Sequence, residues 1–176
     1  MRFAASAFLV LILSCADGPS SPADGDPSVS PSEPARVDLV EAGIRAVLPS
    51  DGGRDVLFIM TELCDTEFTS EERACEGSLT DDEQAILAER LAAMADEVRF
   101  YPRYDTIPEG EAPINTSGAV VVWVGPPRLQ GDGTYLIEAG ETCGGLCGHG
   151  GTYVLEPRGN RWVSSGNAPG TGQWIS

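Results

Sequence analysis

The sequence predicts an α+β fold in which two N-terminal helices pack on a mainly antiparallel sheet that ends in a C-terminal meander. Apolar residues recur at helical spacing in the first half of the chain. From Gly118 onward the apolar runs are β-branched or alternate with polar residues, and glycine-rich turn signals separate them. Because the helices come early and the strands late, we expect the helices to cover one face of the sheet.

The chain begins with a segment that is typical of export. Arg2 is followed by the apolar run Phe8–Leu13, which is shorter than the roughly 20 residues that a membrane-spanning helix needs. The tetrapeptide Ile12-Leu-Ser-Cys15 resembles the lipobox of bacterial lipoproteins. This resemblance implies that residues 1–14 are a lipoprotein signal peptide and that Cys15 is lipidated. An ordinary secretory signal or an uncleaved anchor is the alternative.

The segment from residue 15 to residue 36 is predicted to be a disordered tether. After the cysteine it consists mostly of Ser, Pro, Asp, Gly and Ala, and it contains no aromatic residue. Such a composition buries too little apolar surface to offset the entropy lost on ordering. We therefore expect a single α+β domain over residues 37–176.

The first helix of this domain is predicted at its N-terminal end. Val37, Val40 and Ile44 fall on one helical stripe, and the proline and glycines of residues 49–53 are expected to end the helix. The short apolar run Val56–Met60 that follows is predicted to be a buried strand. The polar stretch Thr61–Leu79 has no regular pattern.

A second helix is predicted from a start signal and an apolar stripe. Thr80 and Glu83 have the spacing of a capping box, in which each side chain satisfies a backbone amide of the other residue. The apolar residues that follow at helical spacing are Leu87, Leu91, Met94 and Val98. The sequence therefore predicts a helix that continues toward residue 98.

Consecutive strands are predicted in the second half of the chain. Ala119–Val124 is a dense β-branched run that Gly125 and two prolines end. Apolar and polar residues alternate in residues 134–139 and 153–156, and Arg158-Gly-Asn160 is a tight-turn signal before the last strand. Strands joined by such short turns pair in antiparallel fashion, which gives the predicted meander.

The charge balance excludes some partners. The chain has 27 acidic residues and 11 basic residues, all of them arginine, for a net charge of −16. Nucleic acids and anionic lipid headgroups would be repelled by this charge. The acidity would attract cations or basic ligands, although it would also serve solubility alone.

Four cysteines follow Cys15, and their number is even, as expected of disulfides in an exported chain. They are Cys64, Cys75, Cys143 and Cys147. Three connectivities are possible. Proximity in sequence favours the local pairs, Cys64 with Cys75 and Cys143 with Cys147, over pairs that cross the fold.

The glycine-rich segment 140–151 contains Cys143, Cys147 and His149, the only histidine of the chain. Its glycines allow the backbone conformations of a tight disulfide turn between two strands, which is the favoured interpretation. The two cysteines and His149 are alternatively candidate ligands for zinc or copper, with the fourth ligand unnamed. A reversible redox disulfide is a further alternative. The sequence predicts no catalytic residue, no resident metal and no cofactor.

The same region carries a resemblance to a group of proteins. Gly133–Glu138 precedes Cys143-Gly-Gly-Leu-Cys-Gly148, and Gly151–Glu156 and Gly159-Asn-Arg-Trp162 follow it. This pattern resembles the C-terminal part of uncharacterised exported bacterial lipoproteins in which a CGGLCG loop joins two strands. The resemblance implies the compartment and the local fold, and it assigns no role to any residue.

Together these observations predict a lipid-anchored protein of the bacterial cell envelope, at the outer membrane or the periplasmic face. Its favoured function is that of a non-enzymatic binding or structural module for an envelope protein or a small ligand. The alternative is a thiol-redox or metal-binding enzyme that uses the loop of Cys143, Cys147 and His149.

Overall fold

The computed structural model of the protein describes residues 33–48, 53–64, 75–111, 118–144 and 147–175. These residues belong to one compact unit, Glu33–Ser176. The predicted signal peptide, the predicted lipidation site Cys15 and most of the predicted tether lie outside the described residues. The predicted domain boundaries therefore stay predictions.

The described chain contains two α-helices, one 3-10 turn and ten strands. The helices are α1 (Arg36–Val47) and α2 (Asp81–Leu91), and the 3-10 turn is Tyr104–Thr106. The strands are β1 (Arg54–Met60), β2 (Glu62–Cys64), β3 (Cys75–Ser78), β4 (Ala95–Tyr101), β5 (Ala119–Val124), β6 (Arg128–Leu129), β7 (Tyr135–Thr142), β8 (Gly148–Arg158), β9 (Arg161–Asn167) and β10 (Trp174–Ile175).

Eight of the strands form one mixed sheet in the order β10-β8-β7-β5-β1-β4. Strand β6 pairs with β7, and β9 pairs with β8 beside β10. β1 lies between β4 and β5 and is parallel to both, so that Leu57 is opposite Val98 on one side and Val120 on the other. The β5–β7, β7–β8 and β8–β9 pairs are antiparallel. The remaining strands, β2 and β3, form a separate antiparallel pair.

The predicted α+β arrangement of two N-terminal helices on a mainly antiparallel sheet is wrong. Strands dominate the described residues, three of them precede α2, and the centre of the main sheet is parallel. The reason is that an apolar pattern predicts a strand but does not determine which other strand it pairs with. A strand followed by a helix and then another strand forms a parallel crossover, as β1, α2 and β4 do.

One face of the main sheet is covered by the helices. Val40 and Ile44 of α1 and Leu87 and Leu91 of α2 are fully buried in the same core cluster. The strand residues of this cluster alternate along each strand, as side chains of one face must. They include Leu57, Ile59, Val122, Val124, Ile137 and Leu155. We call this side of the sheet the helix face.

The second face of the sheet carries a smaller core. Phe58, Met60 and Val121 are buried there together with Ile107, which directly follows the 3-10 turn. No α-helix of the described residues contributes to this cluster. The connection from β1 to β4 and the connection from β4 to β5 run in opposite directions along the sheet. Right-handed crossovers therefore place them on opposite faces, with α2 on the helix face and the segment of Ile107 on the second face.

The start of α2 is as predicted, but its end is not. The Thr80 and Glu83 side chains form the predicted capping box. The helix ends at Leu91, Met94 lies in the turn that follows, and Val98 belongs to β4. Met94 still packs in the helix-face core, so the apolar spacing reports a shared buried side rather than one continuous helix.

Two segments predicted as irregular contain strands. The polar stretch Thr61–Leu79 contributes β2 and β3. The glycine-rich segment 140–151 belongs largely to β7 and β8, which continue to Thr142 and resume at Gly148. The turn between them is consequently shorter than the glycine pattern indicates.

Candidate functional site

The two predicted local disulfides are both present. Cys64 and Cys75 are opposite each other on β2 and β3, and their sulfur atoms are bonded. Cys143 and Cys147 are bonded across the β7–β8 turn, where the Cys143 backbone amide also donates to the Cys147 carbonyl at 3.1 Å. The predicted presence of disulfide bonds is confirmed, and the local pairing is the one that the structure contains.

His149 does not lie in the turn with the cysteines. It is on β8 opposite Glu141 of β7, and its Nδ1 is 2.9 Å from a carboxylate oxygen of Glu141. The Glu141 side chain is only 13% exposed, whereas that of His149 is 41% exposed. Of the three candidate ligands predicted for this loop, Cys143 and Cys147 are thus bonded to each other, and the imidazole is engaged by a carboxylate.

A different group brings three potential ligand atoms together, two of which are the bonded sulfurs of the first disulfide. The ligand atoms of Glu62, Cys64 and Cys75 all lie within 4.8 Å of one another. Cys64 is buried, Glu62 is half-buried and Cys75 is exposed. The sequence analysis missed Glu62, although a carboxylate two residues before a cysteine in a strand is a signal that could have found it.

Two tryptophans meet on the second face of the main sheet. Trp123 of β5 and Trp174 of β10 are stacked, with ring centroids 5.4 Å apart and an angle of 13° between the ring planes. Both side chains are half-buried. The third tryptophan, Trp162, lies on the helix face, where it makes an edge-to-face contact with Tyr135 at 5.2 Å.

Two glycines make room for this stack. The register runs from Trp123 to Gly140, from Gly140 to Gly150, and from Gly150 to Trp174 across four neighbouring strands. A Cβ on Gly140 would overlap the Trp123 ring, and a Cβ on Gly150 would lie 2.7 Å from the Trp174 Nε1. Neither glycine has a positive φ, so close approach of the rings is what requires glycine here. We call these four residues the indole platform.

The charged groups of the second face lie mainly toward the β4 edge. The Arg99 guanidinium donates to Glu97 at 2.7 Å and also bonds Glu111, and it lies 5.9 Å from the centre of the Phe58 ring. These contacts, with Glu97 first, raise the pKa of Arg99 above its ordinary value. Burial raises the pKa of Tyr101, and its 3.0 Å hydrogen bond to Glu111 raises it further. The positive charge of Arg99 is therefore held by carboxylates.

Sequence analysis missed the indole platform. Its tryptophans are far apart in the chain, and the alternating run of residues 134–139 ends one residue before Gly140. A glycine that interrupts a strand pattern is a signal for a close neighbour, but it does not identify that neighbour. Only the pairing of β5, β7, β8 and β10 brings the four residues together.

Two further findings bear on what the protein is. Neither helix of the described residues has the length and apolar content that crossing a bilayer requires. The chain matches no protein-family model, no curated protein and no solved structure.

Proposed function

We propose that the protein is a lipid-anchored, non-enzymatic binding module of a bacterial cell envelope. The lipobox-like segment that ends at Cys15 and the Ser- and Pro-rich stretch after it support the anchor and the tether. The resemblance of the CGGLCG region to exported bacterial lipoproteins supports the same compartment. The domain stands outside the cytoplasm, at the outer membrane or the periplasmic face.

The observation that carries the binding function is the indole platform. Two stacked indoles over paired glycines provide a broad aromatic surface on the face to which no described α-helix contributes. Aromatic rings of this kind offer large contact area with little loss of side-chain entropy on binding. A Cβ at Gly140 or at Gly150 would overlap an indole, so both rings lie directly against the strand backbone and are placed on this face by the fold itself.

The ligand that fits this surface carries an ammonium group. Indole faces attract cations, with a contribution of about 0.5 to 2 kcal/mol for each contact. The net charge of −16 adds long-range attraction for cations and repels anions. Glu138 lies two residues from Gly140 on β7, so its side chain projects from the same face of the sheet as the indole platform.

Choline titration tests this proposal. We expect choline to shift the indole N–H resonances of Trp123 and Trp174 but not that of Trp162, with a millimolar dissociation constant. The neutral isostere of choline, in which carbon replaces the ammonium nitrogen, is expected to bind at least about tenfold more weakly, since the cation–π energy is absent.

Two variants make the titration specific. Trp174→Ala is expected to abolish the choline response, whereas Trp162→Phe, on the opposite face of the sheet, is expected to retain it. Equal binding of choline and its isostere, or an unchanged response in Trp174→Ala, would contradict the proposed ligand class.

The anchor has its own test. Cells that express the full chain are expected to incorporate labelled palmitate into the protein, and the Cys15→Ser variant is expected to lose the label. Label that persists in the variant would show that lipidation takes place elsewhere, and the absence of label in both proteins would remove the anchor from the proposal.

A second candidate function is a thiol-redox or metal-binding enzyme that uses Cys143, Cys147 and His149. The observation in its favour is that Glu141 orients the imidazole of His149 two residues from Cys147 of the second disulfide. Thiol labelling of the natively harvested protein, with and without reductant, tests redox cycling. Metal content of the His149→Ala variant tests coordination.

A further inference from the structure

The β2–β3 hairpin combines a disulfide with a carboxylate at ligand distance. Glu62, Cys64 and Cys75 place one oxygen and two sulfur atoms within 4.8 Å of one another. Zinc is bound by thiolate sulfur and carboxylate oxygen, with each ligand atom about 2 Å from the ion. Three ligand atoms that lie this close together are near enough to share one ion once the two sulfurs are no longer bonded to each other. In the disulfide form the two sulfurs are bonded to each other and are poor ligands.

We propose that reduction of the Cys64–Cys75 disulfide converts the hairpin into a zinc site with Glu62 as the third ligand. A dithiol reductant transfers two electrons and two protons, so that the protein disulfide becomes two thiols and the reductant becomes a disulfide. Zn²⁺ then displaces the two thiol protons and binds both thiolates. Three protein ligands leave the fourth position of the tetrahedron open to water.

The base of the hairpin is held independently of the disulfide. The Thr61 amide donates to the Tyr101 carbonyl at 2.8 Å, and the Leu79 amide donates to the Thr61 carbonyl at 2.9 Å. Leu63 and Leu79 are both buried in the helix-face core. Cleavage of the sulfur–sulfur bond therefore leaves the two strands attached to the main sheet, and the thiols stay close to Glu62.

The Glu62 carboxylate can exchange its ion-pair partner, Arg103, for a metal ion. Arg103 is 3.9 Å from the Glu62 carboxylate, and its Nε is also 3.3 Å from Asp105. When zinc binds Glu62, Arg103 retains Asp105, so no charged group is left without a counterion. Because the Arg103–Glu62 contact is long, it contributes little stabilisation, and little free energy is lost when the Glu62 carboxylate binds zinc instead.

The second disulfide provides a control within the same chain. Cys143 and Cys147 yield another pair of thiols on reduction, but the nearest predicted ligand, His149, is bound to Glu141 at 2.9 Å. The proposal therefore assigns tight zinc binding to one of the two reduced pairs. It is independent of the indole platform, which uses neither hairpin cysteine.

Zinc titration of the full chain against a chromophoric chelator tests the site. With a phosphine reductant we expect one zinc per chain, and without reductant we expect none. The Cys143→Ser/Cys147→Ser variant is expected to keep this zinc, and Cys64→Ser/Cys75→Ser is expected to lose it. Glu62→Gln is expected to weaken zinc binding about tenfold or more. Loss of a residue that only supports a metal ligand already lowers metal affinity about tenfold, and Glu62 is proposed to bind the metal directly.

Several results of this titration would contradict the zinc site. Zinc that remains in Cys64→Ser/Cys75→Ser, zinc that is lost in Cys143→Ser/Cys147→Ser, or the absence of zinc from the reduced protein would overturn the proposal. If the hairpin double variant fails to fold, as circular dichroism would show, Glu62→Gln still decides. That variant keeps both thiols, and unchanged affinity in it would remove Glu62 from the site.

Discussion

Glu83 links the two helices through one carboxylate. It accepts a hydrogen bond from the Arg36 Nε at 2.9 Å and another from the Thr80 backbone amide at 2.8 Å. Arg36 also donates to the Ser78 carbonyl at 3.0 Å, which connects the start of α1 to the end of β3. The Arg36 hydrogen bond is the main cause that lowers the pKa of Glu83 to about 2 from an ordinary value of 4.5. The folded protein therefore stabilises the ionised carboxylate of Glu83 relative to its protonated form.

The lowered pKa of Glu83 predicts a loss of stability in acid. A folded-state pKa below the unfolded value means that the contribution is fully present above pH 4.5 and is lost as the pH falls toward 2. Glu83→Gln is expected to lower the free energy of unfolding at pH 7 by about 1 kcal/mol and to flatten its pH dependence between these values. Urea unfolding from pH 2 to pH 7 measures this difference. A parallel pH profile in the variant would contradict it.

Gly140 is a position where one methyl group should be costly. The added Cβ of Gly140→Ala would overlap the Trp123 ring, so the ring or the strand backbone would have to shift. We expect a loss of about 1 to 3 kcal/mol in the free energy of unfolding, together with a change in tryptophan fluorescence. Gly131→Ala is the matched control, since a Cβ there meets no atom within 4 Å. Equal stability of the two variants would contradict the close packing of the indole platform.

At the scale of elements, the two disulfides should differ in what they contribute. The Cys64–Cys75 bond closes a longer loop, with a sequence separation of 11, than the Cys143–Cys147 bond, with a separation of 4. A longer loop loses more entropy in the unfolded chain when it is closed. Loss of the first disulfide is expected to cost about 3 kcal/mol, and loss of the second about 1 kcal/mol less.

Double serine variants measure this order. The free energies of unfolding of Cys64→Ser/Cys75→Ser and Cys143→Ser/Cys147→Ser are compared in urea, without reductant. A larger loss in the second variant would indicate that the β7–β8 turn depends on its disulfide more than its backbone hydrogen bonds imply.

The boundary between α2 and β4 shows how a local pattern can mislead. Leu87, Leu91 and Met94 all face the same core, and Val98 continues their spacing by one further step. The chain nevertheless turns after Leu91, and Val98 packs on that core from a strand parallel to β1. Apolar periodicity identifies residues that face the same core. Whether they lie on a helix or a strand depends on the pairing partner, which for Val98 is β1.

At the scale of the molecule, local signals were predictable and pairings were not. The capping box at Thr80, the strand Ala119–Val124 and the local disulfides each depend on residues close in sequence. The parallel pairing of β1 with β4 and β5 joins segments that no local rule connects. The stack of Trp123 on Trp174 likewise depends on the pairing of β5, β7, β8 and β10, so the indole platform could not be predicted from local patterns. Glu62 and Cys75, in contrast, meet across the local β2–β3 hairpin, and the spacing of Glu62 and Cys64 was a signal for that site.

The surplus of negative charge should make the whole molecule sensitive to salt. A net charge of −16 destabilises a compact state through self-repulsion, and salt at about 0.15 M screens charges more than roughly 8 Å apart. The same salt weakens surface ion pairs such as Arg90–Asp38, but these contribute only about 0 to 1 kcal/mol each. Repulsion is the larger effect because it sums over all surplus carboxylates. We therefore expect the melting temperature at pH 7 to rise on addition of NaCl, by about 2 to 4 °C for each 1 kcal/mol of relieved repulsion.

A control at low pH separates screening from other effects of salt. Near the isoelectric point, about pH 4.2, the net charge is close to zero and little repulsion remains to be screened. The rise in melting temperature should then disappear, because only the weakening of ion pairs is left. A rise of the same size at both pH values would indicate that salt acts through exclusion from apolar surface instead, as sulfate does, and would remove self-repulsion as the cause.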